Sequence, residues 1–227
     1  VEALSDNSPN ESLENLSLHT GEGVVVDIGT GDGRFVYTLA RQNPNKFFIG
    51  IDANAKPLEK ISMKATRKPA KGGLSNVLFL QAAVENLPEE LNGIADEIHI
   101  HFPWGSLLRA VLKGDEEILR NLHRIAAPEC LLEIIIGIDE QRDRAEIERL
   151  ELPALSIEYL ENVLCPKYVA AGFEIIEKGI LNQSEWSKLE TSWARKLQGN
   201  KCRKVVYLIA RTNTDALAKP NKIMGIH

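Results

Sequence analysis

The chain has little cysteine and no long apolar stretch, and both absences narrow what it can be. Its 227 residues include 3 cysteines, Cys130, Cys165 and Cys202, far apart and without a Cys-x-x-Cys spacing. That argues against a disulfide framework and a cysteine-built zinc site, and for reduced thiols in the cytoplasm. No apolar run reaches spanning length, and the first residues lack the basic-then-apolar order of a secretory signal. The expectation is a cytoplasmic protein with no membrane attachment. An excess of positive charge is missing too, since the formal net charge is −5. The total conceals a segregation. Lys56 to Lys71 carries Lys56, Lys60, Lys64, Arg67, Lys68 and Lys71 against Glu59 alone. Lys188 to Lys204 carries Lys188, Arg195, Lys196, Lys201, Arg203 and Lys204 against Glu190 alone. Two such segments can build a basic face, or can be two solvated surfaces.

What is present is a regular alternation. Residues 1–20, rich in Ser, Asn, Asp and Glu, read as a flexible leader, and 212–227 as a flexible tail. Between them, short apolar runs at 24–28, 47–52, 77–80, 97–101, 131–136, 174–180 and 204–210 read as strands. Helical patterns fall at 33–43, 55–66, 114–126, 156–171 and 184–197. Strand–helix alternation of this kind implies an α/β domain over 21–211, a mostly parallel sheet with helices on both faces. Seven strands in this order fit a class I, Rossmann-like methyltransferase sheet, a family in which the last strand runs antiparallel. The segments 139–155 and 181–201 exceed ordinary connections and are candidates for substrate recognition.

Val24-Val25-Val26-Asp27-Ile28 runs straight into Gly29-Thr30-Gly31-Asp32-Gly33. Glycines at alternate positions let the backbone turn tightly and approach a ligand closely. The spacing is not the Gly-x-Gly-x-x-Gly of dinucleotide sites, and acids at Asp27 and Asp32 would repel a pyrophosphate. They suit a ligand bearing an ammonium and a sulfonium, which is S-adenosyl-L-methionine. Asp52, about 20 residues on, is placed to accept hydrogen bonds from ribose hydroxyls, and Val84 and Glu85 to border the adenine. Asp52 and Glu85 could instead be helix caps. Gly29, Thr30 and Gly31 complete the expected cofactor set on this side.

The fourth predicted strand ends in Phe102-Pro103-Trp104-Gly105-Ser106. Adenine-amino methyltransferases carry an Asn/Asp-Pro-Pro-aromatic loop here, whose polar side chain accepts from the exocyclic amine. Phe102 has no such acceptor, so the target is a ring nitrogen that already offers a lone pair. Trp104 presents a flat face for a displaced base. Phe102, Pro103 and Ser106 are expected beside the cofactor. Trp186, Leu189, Trp193 and Leu197 recur at helical spacing, a pattern that by itself places Trp193 in a core. His99 and His101 share one strand face without further ligands, and no metal site is expected.

With Phe102-Pro103-Trp104-Gly105-Ser106, Thr191-Ser192-Trp193-Ala194-Arg195-Lys196-Leu197 and Lys68-Pro69-Ala70-Lys71-Gly72-Gly73-Leu74-Ser75-Asn76-Val77 together, the chain resembles a known family. These are the 16S rRNA adenine-1408 N1-methyltransferases that confer aminoglycoside resistance, and the likeness runs from about Val24 to Arg211. The resemblance implies that Trp104 and Trp193 sandwich the flipped adenine and that Thr191 contacts the cofactor. It implies that Lys64, Arg67, Lys68, Lys71, Arg195, Lys196, Lys201 and Arg203 hold rRNA phosphates, with Glu140 and Arg149 in an insertion that touches RNA in relatives. It also implies a monomer acting on the assembled small ribosomal subunit. Relatives begin with a short hairpin, whereas residues 1–20 show no clear strand pair. A tRNA guanine methyltransferase, a nicotinamide-dependent oxidoreductase and a non-catalytic RNA-binding module remain as alternatives.

Overall fold

The computed structural model describes residues 2–3, 22–181 and 204–213. The strands are β1 (Glu2–Ala3), β2 (Val24–Ile28), β3 (Phe47–Asp52), β4 (Val77–Gln81), β5 (Ala95–His101), β6 (Ala126–Ile138), β7 (Phe173–Leu181) and β8 (Lys204–Thr212). They form one sheet in the order β1-β4-β3-β2-β5-β6-β8-β7. Strands β4, β3, β2, β5 and β6 are parallel neighbours, and β8 lies antiparallel between β6 and β7. This is the expected class I sheet with its antiparallel last strand. The two-residue β1 adds an antiparallel edge against β4, a pairing that residues 1–20 did not announce.

The helices are α1 (Arg34–Gln42), α2 (Ala55–Ala65), α3 (Gly105–Lys113), α4 (Glu116–Ile125) and α5 (Arg144–Leu150). Ile157–Tyr159, Leu160–Leu164 and Cys165–Ala170 follow one another as α6, with a π-helical turn in the middle. Helices α3 and α5 were not expected. The expected helix at 184–197 lies outside the described residues.

Two apolar layers sandwich the sheet. On one face Val36, Tyr37 and Ala40 of α1 and Leu58 and Ile61 of α2 meet Val25, Phe48 and Phe79. On the other, Leu108 and Leu112 of α3, Leu122 of α4 and Tyr168 of α6 meet Val26, Ile49, Ile98 and Leu132. Successive strand residues point to opposite faces, so Val26, with β-branched neighbours on either side, is buried as a central-strand residue. Each fully buried aliphatic side chain stabilises the fold by roughly 1.5–3 kcal/mol. Among the described residues, no helix is long and apolar enough to cross a membrane.

The same alternation places Asp27 on the α1 face with Val25. Strand β2 is also where the sheet order reverses, between β3 and β5. Open α/β sheets bind ligands at that point, beyond the carboxyl ends of the strands.

Candidate active site

The glycine turn leaves β2 with Gly29, Gly31 and Gly33 all in the left-handed region (φ 75°, 62° and 67°). A side chain there would be strained, and space forbids it as well. A Cβ on Gly29 would stand 2.7 Å from Leu107, and one on Gly33 would stand 2.6 Å from Phe79. The turn is clipped to the end of β3. Gly29 and Thr30 donate their N–H groups to the Ile51 carbonyl (2.8 and 3.0 Å), and Gly31 donates to the Asp52 carboxylate (2.8 Å). The other Asp52 oxygen accepts from the Asn54 N–H at 2.9 Å. Asp32, by contrast, is used locally, paired with Arg34 at 3.2 Å.

Asp27 is 5% exposed. Burial pushes its carboxyl up from the ordinary range, while His101 and His99 oppose that shift. The buried Thr30 hydroxyl faces the Asp27 carboxylate and also opposes that shift. A buried carboxylate, a buried hydroxyl and a second acid, Asp52, line this turn, and the Arg34 guanidinium beside it is already matched by Asp32. That donor set fits a cationic amino-acid nucleoside and not a pyrophosphate.

Beyond β4, Val84–Asn86 forms a 3-10 turn with Val84 buried and Glu85 exposed. Asn121 of α4 donates to the carbonyls of Val84 (3.1 Å) and Glu85 (3.2 Å), fixing the turn expected to border the adenine. Sequence reasoning missed Asn121, because nothing in the order of residues ties it to a loop 36 positions away.

At the end of β5, Phe102 holds a left-handed backbone (φ 50°). That conformation costs a non-glycine residue on the order of 1–2 kcal/mol. Its buried ring and an N–H donated to the Ile135 carbonyl at 2.7 Å hold it there. Pro103 is buried, Ser106 exposed, and Trp104 stands 46% exposed immediately before α3. Leu107 of that helix packs over Gly29, so the Trp104 loop sits on the glycine turn. The structure thus brings Asp27, the turn, Asp52, Val84, Glu85 and Phe102 to Ser106 to the carboxyl ends of four adjacent strands.

The basic loop after α2 is built around Gly73, whose added Cβ would fall 1.5 Å from the Arg67 carbonyl. Gly72 accepts from the Tyr37 hydroxyl at 2.6 Å. Arg67, Lys68 and Lys71 are exposed, whereas the Lys64 ammonium lies over the Tyr37 ring at 4.3 Å. Helix α2 starts beside Asp52 and runs back along the sheet for 11 residues, about 16 Å. The loop therefore lies a helix length from the turn. In the 139–155 insertion, Glu140 pairs with Lys204 (2.7 Å) and Arg149 with Glu146 (2.7 Å). Thr191, Trp193, Arg195, Lys196, Lys201 and Arg203 lie outside the described residues. No group of three or more His, Cys, Asp or Glu side chains among the described residues is arranged to hold a metal ion.

Known proteins share this arrangement. The family model for 16S rRNA (adenine(1408)-N(1))-methyltransferases matches residues 7–212. The chain is 40% identical over 182 residues to the 16S rRNA (adenine(1408)-N(1))-methyltransferase of Streptoalloteichus tenebrarius, covering 80% of this chain and 83% of that one. Its fold matches that of the aminoglycoside resistance methyltransferase NpmB1 (TM-score 0.77, 44% identity, 92% and 99% of the two chains). It also matches a mutant 16S rRNA (adenine(1408)-N(1))-methyltransferase from Catenulisporales acidiphilia solved with cosubstrate SAM (TM-score 0.81, 30% identity, 96% and 95%).

Proposed function

The chain belongs to the 16S rRNA (adenine(1408)-N(1))-methyltransferase family, and from that premise we propose that it methylates N1 of adenine-1408 in the assembled small ribosomal subunit. It is an S-adenosylmethionine-dependent methyltransferase. The cofactor, when bound, supplies the electrophilic methyl group. Asp27 and Thr30 hold its amino-acid end, Asp52 takes the ribose hydroxyls, and Val84 and Glu85 border the adenine. Phe102, Pro103 and Ser106 line the passage between cofactor and target base.

The observation that carries the reading is the exposed Trp104 on a loop packed, through Leu107, onto the glycine turn. A flipped base stacked on Trp104 is thereby held over the cofactor site. Adenine N1 already offers its lone pair, so the reaction needs no general base. The loop supplies none: Phe102 to Ser106 contains no titratable side chain. Positioning is the main contribution, and holding reactants in line can lower a barrier by several kcal/mol. Trp193 gives the second face and Thr191 a cofactor contact. The aromatic faces also favour the cation that N1-methylation creates.

Arg67, Lys68 and Lys71, with Lys64 behind them and Arg195, Lys196, Lys201 and Arg203 in the second basic segment, hold phosphates and set the register on the subunit. A helix length from the turn, the first loop positions RNA and does not read the target base. A cationic, methylated Watson–Crick edge then blocks an aminoglycoside that hydrogen-bonds there. Transfer of labelled methyl groups to small subunits, and not to tRNA or free 16S rRNA, is the expected result. Preferential labelling of tRNA would select the guanine-methyltransferase alternative, and subunit binding without transfer would select the non-catalytic one.

A further inference from the structure

Behind the glycine turn, β5 carries Glu97, His99 and His101 on the same face as Asp27, and β6 adds Glu133 to the row. Asp27 stands opposite His99 in the β2–β5 pairing, and His99 opposite Glu133 in the β5–β6 pairing. The two imidazoles are stacked, with centroids 5.0 Å apart and planes 10° from parallel, under the ring of Phe35 from α1. His101 Nε2 donates to Glu133 at 2.5 Å, His99 Nε2 lies 3.5 Å from Glu97, and Lys46 closes the row on Glu97 at 2.6 Å. Both Nδ1 atoms are buried and lack a partner among the described residues. Nothing in the methyl transfer described above uses this row.

Its charges decide its role. With both histidines neutral, Asp27, Glu97 and Glu133 face Lys46 alone, with Asp52 adding to the negative field at Asp27. Buried, uncompensated charges are avoided by taking up protons. A protonated His99, opposite Asp27 in the β2–β5 register, offsets part of that excess. Burial opposes a charge on His99, but Glu97, Asp27 and Glu133 together outweigh it and raise its pKa, and the hydrogen bond from His101 holds Glu133 below the ordinary carboxylate range.

We propose that His99, held in place by its stack on His101, is a positioning residue that acts as a built-in counter-cation, keeping the Asp27 carboxylate charged while the cofactor site is empty. The inference rests on the reading of Asp27 as the acid that meets the cofactor's amino-acid end. His99 does not touch the cofactor. It acts through Asp27, which stays ionised in the empty site and need not lose a proton at the moment of binding.

The test is a carboxyl-carbon NMR titration of the cofactor-free protein, with the Asp27 signal assigned by its loss in Asp27→Asn. In His99→Gln/His101→Gln the midpoint should rise by about one pH unit or more, a tenfold or greater change in the ionisation equilibrium. Calorimetry with S-adenosylmethionine should then show affinity rising with pH up to that raised midpoint in the variant, at up to about tenfold per unit. His99→Gln alone, which leaves the His101–Glu133 hydrogen bond in place, serves if the double variant does not fold. An unchanged Asp27 midpoint in a folded variant overturns the proposal. Wild-type cofactor affinity in Asp27→Asn would instead overturn the reading of Asp27, and the titration result would stand apart from it.

Discussion

The Gly31 backbone N–H donates to the Asp52 carboxylate at 2.8 Å, joining the glycine turn after β2 to the acid that ends β3. One side chain therefore shapes the turn and, in the proposed site, also presents an acceptor to the ribose. Asp52→Ala removes both functions. Hydrogen bonds to a charged group contribute about 1.5–3 kcal/mol each, so cofactor affinity should fall roughly tenfold to a hundredfold by calorimetry. Asp52→Asn, which keeps one acceptor oxygen, should fall less.

Trp104 is exposed on the loop before α3, and the proposed role of its indole is to contact the base without holding the cofactor. Trp104→Ala should lower kcat/KM on small subunits by at least roughly 5- to 150-fold, from a stacking contribution of about 1–3 kcal/mol. Affinity for S-adenosylmethionine should stay near wild type. Wild-type turnover in this variant would remove Trp104 from the base-holding role.

The basic loop depends on Gly73, which leaves no room for a methyl group against the Arg67 carbonyl. Gly73→Ala should displace Arg67, Lys68 and Lys71 together. Weaker subunit binding in a filter assay, with cofactor affinity unchanged, is the expected pattern. Arg67→Ala or Lys71→Ala should weaken binding uniformly across RNA sequences and flatten its salt dependence.

Much of this site was legible because it is local. The run of valines before an alternating glycine turn, and Asp52 at the end of the next strand, are spacing signals that topology merely brings side by side. Helix α3 was missed because Gly105 to Lys113 reads as the continuation of the target loop, and its N-cap, Trp104, makes no side-chain capping bond. Strand β6 starts at Ala126 and not near 131: Pro128 and Glu129 read as a turn, and Glu129 does take a left-handed backbone (φ 63°) where the β5–β6 register shifts, but the ladder continues on both sides. The charge row behind Asp27 was half visible. His99 and His101 share a face by alternation, but Glu133 joins them only through strand register, 32 residues away. Trp193 and Thr191, expected on resemblance, lie beyond the described residues.

Glu97 offers a pH prediction. Hydrogen bonding to His99, followed by Lys46, holds its carboxyl at about 2, below its ordinary 4.5. A depressed folded-state pKa contributes stability that is present above the unfolded value and lost as pH falls through the folded one. Urea midpoints should therefore drop between about pH 4.5 and pH 2, and Glu97→Gln should flatten that slope. An unchanged slope would remove Glu97 from the acid-sensitive set.

The central claim, methylation of one ring nitrogen, is tested most directly by reverse transcription of 16S rRNA recovered from small subunits after incubation with protein and S-adenosylmethionine. A polymerase stop next to adenine-1408 should appear that requires the cofactor and weakens in Trp104→Ala. Read-through at that position in the wild-type reaction, with a stop elsewhere or none, would contradict that claim.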